Sequence, residues 1–172
     1  MVEESLKSDA ILSQISSHSF AEKMVAIDEE RMSVLIFQLG DDLFAFRGSQ
    51  AREILPFTEV TWIPGATALL PGVISVRGDV AAVLDLSQVL GIHERIKRAA
   101  SGFFIMVRAG DGRNGILVDN IVDILEMPIS EERQLLSTLD EGFRRFALSQ
   151  FEYNHKMVTV LNADWIIEKV NS

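Results

Sequence analysis

The chain has 172 residues, 48% apolar and 24% charged, which is the composition of an ordinary globular protein and excludes a disordered tail or a collagen. A formal charge of −9 has the wrong sign for a protein that displaces counterions from DNA or RNA, so no nucleic acid partner is expected. The absence of cysteine removes disulfides, thiolate metal sites, Fe–S clusters and cysteine nucleophiles together.

No window approaches the apolar length of a membrane span, and the start MVEESLKSDA lacks the basic and apolar regions of a secretory signal. A cytosolic protein with no direct membrane insertion is expected. Residues 1–32 are polar and acidic, with helical spacing: Phe20, Met24 and Ile27 share one face, and Ser19 with Glu22 has the spacing of a capping box. A helix is expected from Ser19, preceded by a second apolar set, Ile11, Leu12 and Ile15. It packs on the body, frays in solvent or docks a partner.

From Ser33 the pattern turns to β. Val34, Ile36 and Phe37 lead into Gly40-Asp41-Asp42, and Leu43 to Phe46 resume the apolar run, a hairpin signal. Further β-rich runs cover 73–76, 80–86, 103–107, 115–118, 121–125 and 157–161, with turn residues between them. This punctuation suits a barrel or sandwich rather than alternating strands and helices. Between Met127 and Phe146, Leu135, Leu136, Leu139, Phe143 and Phe146 fall at helical intervals, so a loop with one or two helical turns is expected there.

The plan is repeated. The stretch Phe37 to Asp41, then Arg52-Glu53-Ile54-Leu55, lies over Val107 to Asp111, then Val122-Asp123-Ile124-Leu125, at an offset of 70 (position 40 onto 110). Val83 to Leu90 lies over Val160 to Ile167 at an offset of 77 (position 83 onto 160). Each half reads as a hairpin, an acid-Ile-Leu strand, and a closing strand that ends in a helical turn. Such a repeat suits a small five-stranded barrel, and two barrels side by side follow. Approximate bounds are 33–92 for the first and 93–169 for the second, with strand exchange between them possible.

Chemistry is scarce. His18, His93 and His155 lack metal-ligand spacing, Ser75 and Ser149 sit in no nucleophile elbow, and Gly110 to Gly115 joins strand to strand, as a hairpin does, and not strand to helix, as a phosphate loop does. Asp79, Asp85, Asp119 and Asp123 would act as acid and base only if folding paired them; for Asp85 the simplest role is to cap the turn that follows. No cofactor, metal or catalytic residue is expected.

The segment Ile63 to Leu86 stands apart: a Pro-bounded loop, then two strands joined at Arg77-Gly78-Asp79, where the turn presents the Arg77 charge with little freedom. Its pattern, I-P-x(6)-P-G-V-I-x-V-R-G-x-V-x-x-V-L-D-L-x-x-x-L-G, resembles the signature of the CheW-like coupling proteins of bacterial chemotaxis. Arg52-Glu53-Ile54 resembles the family's V-x-E-I strand, Gly115 to Ile121 its G-h-h-V-D-x-V element, and Val158 to Asn162 its last strand. The departures are Ala51 for the family's valine, Ala82 for its proline, Asn162 for its aspartate, a missing glycine near Leu148 and Ser149, and the long N-terminal segment.

The resemblance implies a mainly β fold of two SH3-like five-stranded barrels, here with an N-terminal helical extension. It also implies a non-enzymatic adaptor recruited to membrane receptor arrays. Its partners would be the cytoplasmic tip of a methyl-accepting chemotaxis receptor and the regulatory domain of a CheA-type histidine kinase. Arg77 is expected to anchor the receptor-facing surface, with its rotamer fixed by Glu53 and with Ile54, Gly72, Val76 and Gly78 around it. Ile116 and Val118 are expected to face the kinase, with burial in the core as the other reading. Two further functions stay open: a coupler for a pathway controlling pili or a second messenger, and a small-ligand sensor using the cleft between the barrels.

Overall fold

The computed structural model describes residues 29–92 and 101–172. The helix expected from Ser19, the apolar set before it, His18 and His93 lie outside the described residues. The chain divides into two units, Met1–Arg31 and Met32–Ser172, and the strands belong to the second apart from the first residue of β1.

The unit is mainly β, in chain order β1 (Arg31–Leu39), β2 (Asp42–Arg47), β3 (Ala51–Pro56), β4 (Thr61–Trp62), β5 (Gly72–Val76), β6 (Asp79–Asp85), a short helix α1 (Leu86–Leu90), then β7 (Phe103–Val107), β8 (Asn114–Val118) and β9 (Asn120–Pro128). A 3₁₀ turn (Ile129–Glu131) and a single helical turn α2 (Glu141–Arg144) lie in the following connection, as the spacing between Met127 and Phe146 predicts. The chain ends with β10 (Ala147–Tyr153), β11 (Lys156–Leu161) and helix α3 (Ala163–Asn171).

The strands form a five-stranded sheet, β10-β11-β2-β1-β9, and a six-stranded sheet, β3-β7-β8-β6-β5-β4. The two-residue β4 is the strand beyond the expected five. In this order the strands are exchanged about residue 92: the first hairpin of each half leaves its own half and joins the other. The repeat makes that crossing symmetric. β2 runs parallel to β11 with Phe44 opposite Thr159, and β8 runs parallel to β6 with Asn114 opposite Ala82. The offsets of 70 and 77 carry Phe44 onto position 114 and Ala82 onto position 159, so both junctions share one register.

Alternate residues of the inner strands enter different cores. Leu35, Phe37 and Leu39 of β1, Phe44 and Phe46 of β2, Leu84 of β6, Ile105 and Val107 of β7, and Ile116 and Val118 of β8 meet in a central layer between the sheets. Val34, Ile36 and Ala45 turn the other way, toward Phe151, Val158 and Val160. Val83, Ala81, Phe104 and Met106 do the same in the six-stranded sheet, with Ile74 and Val76. Strands buried on both faces read as unbroken apolar runs, which is how β1, β6 and β7 read in the sequence.

Helix α1 starts at Asp85, whose carboxylate accepts from the Ser87 and Gln88 backbone N–H groups at 3.1 and 3.4 Å. Asn162, in the position of the family's aspartate, caps α3 in the same way, accepting from Asp164 and Trp165 at 2.9 and 3.4 Å. At the missing glycine, β10 carries a bulge between Ala147 and Ser149. Strand β10 escaped the sequence reading because buried Ser149 and Gln150 make it look polar. Each has a partner: the Ser149 hydroxyl donates to Glu132 at 2.8 Å, and the Gln150 amide donates to Thr159 at 3.1 Å. Arg133 pairs with Gln150 through two backbone hydrogen bonds of 2.7 and 3.0 Å, laying the connection from Ile129 along the outer edge of β10.

Phe37→Ala removes a fully buried ring whose centroid lies 5.0 Å from that of Phe46. It should lower the unfolding free energy in urea by about 3–5 kcal/mol. The β10–β11 turn holds Asn154 and His155 at φ 47° and 63°, and the His155 side chain is 99% exposed. Because a left-handed conformation disfavours any residue with a Cβ, His155→Gly should raise the unfolding free energy by about 1 kcal/mol, read in the same titration.

Candidate partner-docking surface

Arg77 stands at the tip of the β5–β6 hairpin. Val76 and Asp79 form the last strand pair, which leaves a two-residue turn with Arg77 at φ 50° and Gly78 at φ 83°. Two successive positive φ angles define the turn whose twist suits a hairpin, and asparagine or glycine usually occupies both places. An arginine in the first place is held there against a cost of about 1–2 kcal/mol. Its guanidinium donates to a Glu53 carboxylate oxygen at 2.9 Å while the side chain stays 76% exposed.

Glu53 reaches that point because β3 is bulged between Ala51 and Glu53, opposite Val107 and Met106 of β7. Next to it, the β7–β8 turn brings Arg113 within 2.9 Å of Asp79. The backbone fixes this turn, since the Ala82 N–H donates to the Arg113 carbonyl at 2.9 Å, a bond that the proline of the family pattern would lack. Arg52, Glu53, Val76, Arg77, Arg113 and Asn114 line a small polar depression between the two turns. Arg52 and Arg113 were not among the expected site residues; the bulge and the exchanged hairpin that place them leave no local mark in the sequence.

The remaining expected residues divide by burial. Gly78 is exposed at the turn, and Ile54 is half-buried opposite Ile105. Val76 is 6% exposed and belongs to the core of its sheet, so it supports the tip and offers a partner no side chain. Gly72 is also buried: a Cβ there would stand 2.5 Å from the Thr61 carbonyl oxygen, where β4 pairs with β5. Ile116 and Val118 are corrected outright. They are 0% and 1% exposed in the central layer, so they fill the core and offer a kinase no surface.

The four aspartates do not form an acid–base pair. Asp79 holds Arg113 and Asp85 caps α1, while Asp119 accepts from the Gly40 N–H at 2.7 Å and Asp123 accepts from the Tyr153 hydroxyl at 2.8 Å. Among the described residues, no group of three or more His, Cys, Asp or Glu side chains is placed to hold a metal ion. No described helix is long and apolar enough to cross a membrane.

The unit thus presents two ion-paired arginines, Arg77 and Arg113, on the turns of two neighbouring hairpins. The chain belongs to the CheW-like domain family, which it matches over residues 33–171. It is 25% identical over 148 residues to a protein of Thermotoga maritima named chemotaxis protein CheW, covering 86% of this chain and 95% of that one. It is 26% identical over 150 residues to a probable chemotaxis protein CheW of Rhizobium etli, covering 86% and 94%. The fold is similar to the crystal structure of the scaffolding protein TtCheW from Thermoanaerobacter tengcongensis, with a TM-score of 0.69 at 19% identity over 80% of this chain and 88% of that one.

The second hairpin has a tie of its own, one residue off the repeat: Asp123 stands at the position of Glu53, but its donor is Tyr153, which corresponds to Val76, and Arg77 corresponds to Asn154. The Tyr153–Asp123 bond links the end of β10 to β9, as Arg77–Glu53 links the β5–β6 turn to β3. The Asp123 carboxylate accepts the phenol's hydrogen bond and repels its anion, which pushes the Tyr153 pKa above its ordinary 10.0. The protonated phenol is the donor, so the tie is intact below pH 10 and is lost as pH rises through the raised value. Tyr153 is the only tyrosine. An alkaline ultraviolet titration should therefore show one phenol ionising above the ordinary midpoint, and Asp123→Asn should bring the midpoint back down.

Proposed function

We propose that the chain is a non-enzymatic adaptor that couples chemoreceptors to a CheA-type histidine kinase in chemotaxis, in the cytoplasm at membrane receptor arrays. The observation that carries this reading is Arg77: a mostly exposed cation, set in a strained turn and oriented by Glu53, in a chain of the CheW-like family. Its relatives bear the names of chemotaxis and scaffolding proteins. An exposed ion pair adds little to stability, so holding an arginine in this backbone conformation is better explained by contact with a partner. Arg77 with Glu53 anchors the receptor tip, flanked by Gly78 and Ile54. The regulatory domain of the kinase binds elsewhere on the unit, through residues other than Ile116 and Val118.

Modest affinity at each contact suits this role, because an array multiplies weak contacts into stable assembly. A ligand sensor using the space between the sheets is disfavoured by Phe37, Phe44, Phe46, Leu84, Ile105 and Ile116, which fill that space as buried core. Calorimetric titration of the chain into a receptor tip fragment and into a kinase regulatory domain should give micromolar binding to each; binding to neither rejects the adaptor role. Arg77→Asp should abolish the receptor isotherm while shifting the melting temperature by no more than about 3 °C. A larger loss of stability would make Arg77 a structural residue.

A further inference from the structure

The depression at the six-stranded sheet holds an unbalanced charge. Arg77 is answered by Glu53 and Arg113 by Asp79, each at 2.9 Å. Arg52, exposed on the bulge of β3, lines the same depression and makes no ion pair among the described residues. Three cations against two carboxylates leave one positive charge, on a chain whose formal balance is −9.

From this we infer that the depression receives one carboxylate side chain from an acidic stretch of the receptor tip. Arg52 is its main ligand, and Arg77 and Arg113 stand at its flanks. The inference rests on the coupling reading and names the chemistry of its receptor contact. A guanidinium suits a carboxylate because its planar fork meets both oxygens. A single negative charge completes the local balance, whereas a phosphate, with about −1.5 to −2 at neutral pH, would exceed it. The lining is polar and the cavity volume is about 110 Å³, below the roughly 300–1,000 Å³ of a small-molecule pocket, which suits the head of a side chain presented by a macromolecule and not an engulfed small ligand.

The test is calorimetry with the full chain and a recombinant receptor tip fragment, at two salt concentrations. Arg52→Glu should weaken binding about tenfold or more, and the wild-type affinity should fall as salt rises. Lys156→Glu makes the same change in net charge at an exposed position of β11, in the other sheet, and should leave the affinity unchanged. Replacing the contacted acidic residue of the receptor fragment by lysine should restore binding to Arg52→Glu. If the wild type binds and Arg52→Glu binds equally well, the carboxylate site is wrong and the adaptor role stands. Equal loss in Arg52→Glu and Lys156→Glu reduces the effect to net charge and also overturns the site. If the wild type binds no receptor fragment, both readings fall together.

Discussion

The central layer between the sheets is the constraint on which the rest depends. β1, β2, β6, β7 and β8 each place residues there, so neither sheet can bury its second face without the other. On the face of the five-stranded sheet that enters this layer, the Phe37 ring of β1 lies 6.0 Å from Phe44 and 5.0 Å from Phe46 of β2, and Phe143 of the long connection meets Phe44 edge-on at 5.1 Å. β6 is held from both sides, by Leu84 in the central layer and by Ala81 and Val83 in the core of its own sheet. The hairpin that carries Arg77 therefore projects from a fixed base. A docking surface on a two-residue turn is only as well defined as the strands behind it, and these are anchored on two faces.

The repeat was legible in the sequence because its signals are local: Gly-Asp turns, an acid-Ile-Leu strand and a capped helical turn recur at fixed offsets. Those offsets also contain the register of both parallel junctions, since Phe44 opposite Thr159 maps onto Asn114 opposite Ala82. The exchange of hairpins that gives the offsets this meaning was not legible, because no local pattern distinguishes pairing within a half from pairing across halves. β10 was hidden for a different reason. Ser149 and Gln150 are buried polar residues whose partners, Glu132 and Thr159, satisfy them only in the folded chain.

At the site, the two residues that the sequence paired, Arg77 and Glu53, do meet. Each lies in a short motif with a recognisable shape. Arg52 and Arg113 join them through a bulge in one strand and a turn from the other half, neither of which the local pattern announces. Ile116 and Val118 show the limit of alternation as a guide. In a sheet with one wet face, alternate apolar residues point inward, and the others are available to a partner. Here the second face of β8 meets another core, so the pattern carries no information about exposure. The departures from the family pattern are likewise local in effect. Asn162 still caps a helix, and Ala82 contributes a hydrogen bond that proline cannot make.

The crossed hairpins also set an order of events on the ribosome. The six-stranded sheet draws on one continuous stretch, from Ala51 to Val118, and has all its strands once that stretch has emerged. The five-stranded sheet spans a longer interval: Leu43 of β2 must wait for Val158 of β11, the last strand of the unit to emerge. Until then the N-terminal hairpin has a bare edge, the sort of surface that nascent chains lose to aggregation or lend to chaperones. Early completion of the sheet that carries Arg77 gives the waiting hairpin an apolar wall to lean on during synthesis.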